Sequence, residues 1–240
     1  LAKWLNHFAA AQRPLSSTEG IPWYTVLVLA IDTSTPAVTA GLATLAGADV
    51  SVLAERVTIN PRAHGELITP HVLDAAREAG VTLRQVDAIV CGVGPGPFTG
   101  LRAGMATAAA LAHGLGVNAY PVCSLDAIAA TAQAGEPFLA VTDARRREVY
   151  WAAYDADGNR TDGPHVQAPE PLGLSVAAGD GALLYAEKLA VRTIDPRYPT
   201  VAGLVAAARP AFDAEPAPLT PLYLRRPDAT EPGARKRVMA

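Results

Sequence analysis

Residues Val26-Leu27-Val28-Leu29-Ala30-Ile31 form an unbroken apolar run rich in β-branched side chains, and the run stops at the polar turn Asp32-Thr33-Ser34-Thr35-Pro36. A run of this kind predicts a central strand buried on both faces. Val38–Ala43 and Ser51–Thr58, with a turn containing Gly47 between them, predict two further strands and an antiparallel meander. Asn60-Pro61 then predicts a helix start, with Asn60 as N-cap and Pro61 in the first helical position. That helix runs to about Ala79 and stops at Gly80, with Leu67, Ile68, His71, Val72, Ala75 and Ala76 near one face. Ala88–Val93 predicts a second buried strand. It leads through Gly94-Pro95-Gly96-Pro97 into a helix from about Phe98 to Gly114. Val117–Val122 reads as strand, and Ser124 as the N-cap of a short helix.

After Gly135 the pattern starts over. Phe138-Leu139-Ala140-Val141-Thr142-Asp143 echoes Leu29-Ala30-Ile31-Asp32, and Glu148–Tyr154 takes the place of the second strand. A β-β-β-α-β-α unit followed by a partial copy implies an α/β protein of two ribonuclease-H-like lobes, each a mixed sheet flanked by helices. This is the actin-like ATPase layout. The expected organisation is an extension over 1–25, an N-terminal lobe over 26–125, a C-terminal lobe over 126–226 and a charged tail over 227–240. Past Gly179-Asp180-Gly181 the pattern weakens into a segment dense in Pro and Ala, with a helical stretch at Val201–Ala208.

Composition narrows the function classes. Half of the 240 residues are hydrophobic and 18% are charged, enough apolar material for a sizeable core. The net charge of −3 argues against a broad basic face gripping nucleic acid unaided. Cys91 and Cys123 are too far apart for a metal-binding pair and too few for a disulfide scaffold, so buried thiols are expected. No apolar run reaches the ~18 residues of a membrane span. Leu5–Ala11 is too short and too polar for a signal-peptide core. A cytoplasmic protein is expected.

Few residues announce chemistry. Asp32, Thr33, Ser34 and Thr35 sit where an actin-like fold holds nucleotide phosphates and metal; an Asx or ST turn closing the hairpin explains them equally. Gly94-Pro95-Gly96-Pro97-Phe98-Thr99-Gly100 lacks the Gly-Lys-Ser/Thr ending of a P-loop and the spacing of a dinucleotide site. It leaves either an anion site at a helix N-terminus or a turn needed for close packing. The helix that follows is rich in Gly and Ala, with Arg102 at its rim, and suits either packing on its own sheet or a helix–helix interface. His64 and His71 lie seven apart on one helix, not at the i, i+4 spacing of a zinc pair, and imply interface or capping roles. Arg145-Arg146-Arg147 is a solvated loop or a contact for phosphate or an acidic partner.

Three stretches carry a family resemblance: Leu29-Ala30-Ile31-Asp32-Thr33-Ser34-Thr35, Arg62-Ala63-His64-Gly65-Glu66-Leu67, and Gly92-Val93-Gly94-Pro95-Gly96-Pro97-Phe98-Thr99-Gly100-Leu101-Arg102. Ser124-Leu125-Asp126-Ala127, Asp143-Ala144-Arg145, Gly179-Asp180-Gly181-Ala182 and Pro221-Leu222-Tyr223-Leu224-Arg225 continue the series. Over roughly Val26 to Arg226 the chain resembles the TsaB (YeaZ) family. The resemblance implies a non-catalytic, actin-like paralogue of TsaD, the transferase that installs threonylcarbamoyl on N6 of adenosine 37 in tRNAs reading ANN codons. It implies pairing with TsaD, joined by the ATPase TsaE, and contact with tRNA only through that complex. Self-pairing suits the isolated chain, whose partner surface would be unfilled.

The family's dimer interface is built by the two helices at about Arg62–Ala79 and Phe98–Gly114. The interface residues implied here are Arg62, His64, Glu66, Leu67, Pro70, His71, Phe98, Thr99, Leu101, Arg102 and Met105. No metal site is expected: TsaD uses a His-x-x-x-His pair, and the matching stretch Val122-Cys123-Ser124-Leu125-Asp126-Ala127-Ile128 has no histidine. No firmly bound cofactor is expected, leaving ATP or ADP at the joint interface and a vestigial nucleotide site at Asp32, Thr33, Ser34, Thr35, Gly94 and Gly96. The competing readings are an autonomous small-molecule kinase or ATPase resting on Asp32, and a metallopeptidase.

Overall fold

The computed structural model describes residues 25–225. The expected extension, Thr25 apart, and the expected tail lie outside the described residues. The predicted meander forms as strands β1 (Val26–Asp32), β2 (Ala37–Ala46) and β3 (Asp49–Ile59), all antiparallel. Helix α1 (His64–Glu78) follows, then β4 (Ala88–Gly92), α2 (Phe98–Leu115), β5 (Asn118–Val122) and α3 (Ser124–Ala129). The sheet order is β3-β2-β1-β4-β5, with β4 and β5 parallel to β1.

The apolar run of β1 is continuous because both faces of the strand are covered. Leu29 and Ile31 point into a core shared with Ile68 and Val72 of α1 and Leu101 and Ala108 of α2. Val28 and Ala30 point the other way, into a core shared with Val201, Leu204 and Val205.

The second lobe repeats the layout. Strands β6 (Phe138–Asp143), β7 (Val149–Tyr154) and β8 (Arg160–Gln167) form another antiparallel meander. Strand β9 (Val176–Ala178) runs parallel to β6. After helices α4 (Asp180–Leu184) and α5 (Ala186–Leu189), strand β10 (Arg192–Ile194) runs parallel to β9. The order β10-β9-β6-β7-β8 mirrors that of the first sheet, so β1 and β6 are equivalent central strands and both end in aspartate. The fold is therefore the two-lobed, actin-like α/β fold.

The boundary between lobes is not a single cut in the chain. Helix α6 (Val201–Ala208) lies late in the sequence yet packs on the first sheet, and the Val201 N–H donates to the Glu55 carboxylate of β3 at 2.6 Å. Its approach to α3 is close: a Cβ at Gly203 would lie 2.0 Å from the Ala127 carbonyl oxygen. Helix α3 is the wedge between lobes, with Ala127 in the first lobe's core and Leu125 and Ile128 in the second's. Residues 219–225 form a strap over both. Leu222 packs against both cores, and its N–H bonds the Val93 carbonyl at 2.8 Å. Arg225 bonds the Ala144 carbonyl at 3.2 Å and pairs with Glu148 in the second lobe.

Two helix starts differ from expectation. Helix α1 begins at His64, not at Asn60-Pro61, with Ala63 as N-cap. The Asn60 side chain instead accepts from the Arg62 N–H at 3.1 Å, an Asx turn that competes with helix. Ser124 is the first residue of α3, with Cys123 as N-cap, because its hydroxyl is engaged elsewhere. Both cysteines are buried free thiols; burial pushes Cys91 and Cys123 up, the latter to about 12.

Candidate functional site

The turn after β1 is the most crowded point of the first lobe. Asp32 is 1% exposed. Its Oδ1 accepts from the Ser34 N–H and the Ser34 hydroxyl, both at 2.8 Å, and its Oδ2 accepts from the Ser124 hydroxyl at 2.5 Å. Burial pushes the Asp32 carboxyl above the usual range, against the pull of those three donors. Thr33 Oγ1 donates to the Gly100 carbonyl at 2.8 Å and accepts from the Gly104 N–H at 3.1 Å, tying the turn to α2. Thr35 Oγ1 accepts from the Ala37 N–H at 3.2 Å, and the Thr35 carbonyl takes a 2.8 Å bond from His64 Nε2.

The glycines around this turn are spaces that side chains cannot share. A Cβ at Gly92 would sit 1.7 Å from Asp32 Oδ2, at Gly96 2.1 Å from the Ser34 carbonyl oxygen, and at Gly104 2.3 Å from Thr33 Oγ1. Gly94 has φ +93, a conformation glycine takes readily, and the Ser124 hydroxyl accepts from its N–H at 3.3 Å. The Gly-Pro-Gly segment is thus a close-packed wall against the Asp32 turn. The Asp32 carboxylate and the Thr33, Ser34 and Thr35 hydroxyls are all bonded within the fold. The second lobe uses the same device: Cβ atoms at Gly179 and Gly181 would collide with Val141 and Thr142 at the end of β6.

The α1–α2 face divides the residues implied for the interface. Arg62, Glu66, Pro70, Thr99 and Arg102 are exposed, and His64, Leu67 and Phe98 are half-buried. Leu101, Met105 and His71 lie inside the core beneath that face, because they fall on the sheet-facing side of their helices. His71 bonds Thr58 Oγ1 on β3 at 2.9 Å, and burial lowers its pKa. Leu73 on α1 is 48% exposed, and the outer side of α2 is small and open at Ala106, Ala109 and Ala110. Arg102 is fixed by its neighbours: its Nε donates to the Tyr223 hydroxyl at 2.8 Å, and its guanidinium lies 5.7 Å from the Phe98 ring centre and 5.6 Å from that of Tyr223.

Between the lobes lies a cavity of about 420 Å³, lined on one side by Thr33 and Thr35 of the turn after β1, His64 and residues 96–100 leading into α2, and on the other by Arg145, Arg146 and Tyr150, with Tyr223 and Arg225 of the strap. Asp143 sits just behind. Its N–H approaches Asp180 Oδ1 at 3.4 Å, and its own Oδ1 accepts from the Arg145 N–H at 3.0 Å. Burial, with the Asp143 charge adding to it, pushes Asp180 up to about 6. Sequence reading did not find the Ser124–Asp32 bond, the Arg102–Tyr223 contact or the strap. The first two join residues 92 and 121 positions apart, and Arg225 of the strap bonds Ala144 81 positions away, separations that local pattern cannot signal.

Residues 52–168 match the family model described as TsaD, tRNA N6-adenosine threonylcarbamoyltransferase. The uncharacterized protein Rv3421c of Mycobacterium tuberculosis is 56% identical over 207 residues, 84% of this chain and 93% of that one. The tRNA threonylcarbamoyladenosine biosynthesis protein TsaB of Escherichia coli is 38% identical over 135 residues, 55% of this chain and 56% of that protein. The structure of YeaZ from Pseudomonas aeruginosa superposes with a TM-score of 0.69 at 31% identity, over 83% of this chain and the whole of that one. The chain belongs to the TsaB (YeaZ) family. Within that family frame, the match to the TsaD model spans β3 to the end of β8 and so crosses both lobes, as expected between paralogues of one architecture.

Two outcomes follow from this geometry. Gly104→Ala destabilises the protein by about 2 kcal/mol through overpacking on Thr33. Gly114→Ala, on the same helix with open space at the Cβ, stabilises it by about 0.5–1 kcal/mol. Urea unfolding of both variants checks the pair. For Asp180, a folded pKa of about 6 against the usual 3.8 means that the native state holds a proton the unfolded chain has released. Stability therefore falls as pH rises from about 4 to about 6 and is flat above. Asp180→Asn removes that slope and raises stability at pH 7.5 by about 1–2 kcal/mol, read from unfolding midpoints across pH.

Proposed function

We propose that this chain takes part in threonylcarbamoyladenosine biosynthesis on tRNA as a non-catalytic subunit that pairs with a TsaD-type transferase. The observation that carries the reading is the closed Asp32 turn. A catalytic actin-like site needs its aspartate and turn donors available to a metal–nucleotide complex. Here the Asp32 carboxylate is bonded to Ser34 and Ser124, and Gly96 is pressed against Ser34. Residues 122–130 also carry no histidine for a metal pair. Membership of the TsaB (YeaZ) family and the printed name of the Escherichia coli relative supply the pathway.

The partner surface in this reading is the outer face of α1 and α2. Small residues on α2 let a second helix approach closely, Leu73 offers apolar area, and Glu66 and Arg102 set the charge register. An arginine held by two aromatic rings is already ordered before binding, so it loses little entropy on contact. The same face supports self-pairing when the transferase is absent. Any ATP or ADP belongs to the joint interface with TsaD, TsaE is the further protein partner, and tRNA is reached through the assembled complex. The site of action is the cytoplasm.

The test is a reconstitution of tRNA modification with TsaC, TsaD and TsaE, with and without this chain. Modification depends on the chain, and the chain alone turns over no ATP. Glu66→Lys combined with Arg102→Glu weakens TsaD binding at least about tenfold, roughly 1.4 kcal/mol, and lowers modification in parallel. Full binding and modification by the charge-reversed chain would show that another surface holds the partner. ATP turnover by the isolated chain would favour a kinase or ATPase instead.

A further inference from the structure

Arg102 is the one residue of α2 that carries a fixed charge, and it stands on the exposed side of the helix. An exposed arginine ordinarily samples many rotamers and pays entropy when a partner orders it. Arg102 is already held. Its Nε donates to the Tyr223 hydroxyl at 2.8 Å, and its guanidinium carbon lies 5.7 Å from the Phe98 ring centre and 5.6 Å from that of Tyr223. The two rings lie 4.5 Å apart, tilted by 44°. The guanidinium is held on one edge only. A guanidinium has N–H donors on three nitrogens, and Tyr223 takes the one on Nε. Among the described residues, Nη1 and Nη2 of Arg102 make no hydrogen bond and no carboxylate pairs with them. Arg56, Arg160 and Arg225, by contrast, are each paired with a carboxylate of their own chain.

The group that holds Arg102 does not belong to α2. Tyr223 is 121 positions away, on the strap, and is itself 38% exposed. Its place is set by the backbone around it. The Tyr223 N–H donates to the Pro221 carbonyl at 3.0 Å, and the Leu222 N–H donates to the Val93 carbonyl at 2.8 Å. The Leu222 side chain packs against the cores of both lobes. Two residues on, Arg225 donates to the Ala144 carbonyl at 3.2 Å and pairs with Glu148. The phenol oxygen is therefore carried by an element anchored in each lobe. A ring alone would serve for packing against Phe98. The hydroxyl adds a direction: it fixes the Nε edge of Arg102 and leaves the Nη1–Nη2 edge to the exposed face.

We propose that Tyr223 is a positioning residue of the partner interface, fixing Arg102 so that its Nη1–Nη2 edge receives an aspartate or glutamate carboxylate of the transferase partner. This rests on the TsaD-type pairing proposed above, and adds to it the residue behind the contact and the chemistry of the group that meets it. Two parallel N–H donors match the two oxygens of a carboxylate, and a charge with no counter-ion in its own chain supplies the attraction. Ordering before contact spares the entropy that a free arginine would lose. Because the strap is anchored in both lobes, the interface is presented complete only when the lobes are docked on one another.

The test measures binding of the purified full chain to a TsaD-type transferase by calorimetry, for wild type, Arg102→Ala, Tyr223→Phe and the two combined. Arg102→Ala weakens binding about fivefold, and Tyr223→Phe, which keeps the ring and removes the hydroxyl, weakens it about threefold. In the Arg102→Ala background, Tyr223→Phe changes the affinity by less than about 1.5-fold, as expected of a residue that acts through another. Raising the salt from about 0.1 M to about 0.5 M weakens wild-type binding more than it weakens that of Arg102→Ala, because only the former has the ion pair to screen. A loss from Tyr223→Phe that is equal in both backgrounds would belong to the fold or to a separate contact and would overturn the proposal. So would an unchanged affinity in Tyr223→Phe, or a salt dependence that is the same with and without Arg102. Transferase binding indifferent to Arg102→Ala would overturn this proposal and leave the pairing standing, whereas a wild-type chain that binds no transferase would overturn both. Thermal unfolding of Tyr223→Phe is expected within about 2 °C of wild type, as for a substitution at an exposed position.

Discussion

A carboxylate buried at the end of a central strand is the constraint on which the first lobe depends. Leaving Asp32 without donors in a nearly dry environment would be prohibitive, and three hydrogen bonds from Ser34 and Ser124 offset that cost. To deliver them, α3 must place Ser124 directly beside the turn, and Gly92 must give up its side chain so that Asp32 can lie against β4. Gly96, Gly100 and Gly104 then let the Gly-Pro-Gly segment and α2 close over the turn. One ionisable group therefore fixes the relative positions of β1, β4, α2 and α3. Of the two readings that the Gly-Pro-Gly sequence leaves, an anion site or a close-packed turn, the contact distances at Gly92, Gly96 and Gly104 match the close-packed turn.

The architecture has consequences for how the lobes cooperate. Helix α3 is shared between two cores, α6 returns from late in the chain to cover the first sheet, and the strap at 219–225 bonds both halves. Helix α2 joins the two surfaces of interest. Its first turn faces the interlobe cavity, and its outer side, beginning at Arg102, forms the small-residue face of the proposed interface. Arg102, Phe98 and Tyr223 sit at the junction, where the strap meets the helix. A partner that engages Arg102 therefore touches a residue already bonded to the element that spans the lobes.

Much of this was legible in the sequence, for reasons that are local. The β1 run reads as doubly buried because six consecutive apolar residues cannot alternate between core and water. Residues Val201–Ala208 form a helix with the predicted ends, and the echo of the first strand in Phe138–Asp143 marks a genuine repeat of sheet order. What could not be read depends on which of several available partners a side chain takes. Asn60 and Ser124 carry the right chemistry for N-caps, but Asn60 bonds locally in an Asx turn and Ser124 is claimed by Asp32, 92 residues away. Leu101, Met105 and His71 belong to helices that face outward, yet these side chains face in. The family resemblance implies which helices meet a partner and leaves open which of their residues are exposed. Arg145 and Arg146 belong to a conspicuous triplet, but only the fold brings Arg225 to the same cavity wall.

The most direct measurement is Asp32→Ala, assayed for stability and for tRNA modification in the reconstituted system well below its melting temperature. The substitution removes the acceptor shared by Ser34 and Ser124 and leaves those buried donors without it. If Asp32 serves the fold, the variant loses about 1–3 kcal/mol of stability while modification stays within about twofold of wild type. A variant that kept wild-type stability and lost modification by about 100-fold or more would contradict the account, because a carboxylate dispensable for folding but essential for turnover is a catalytic one.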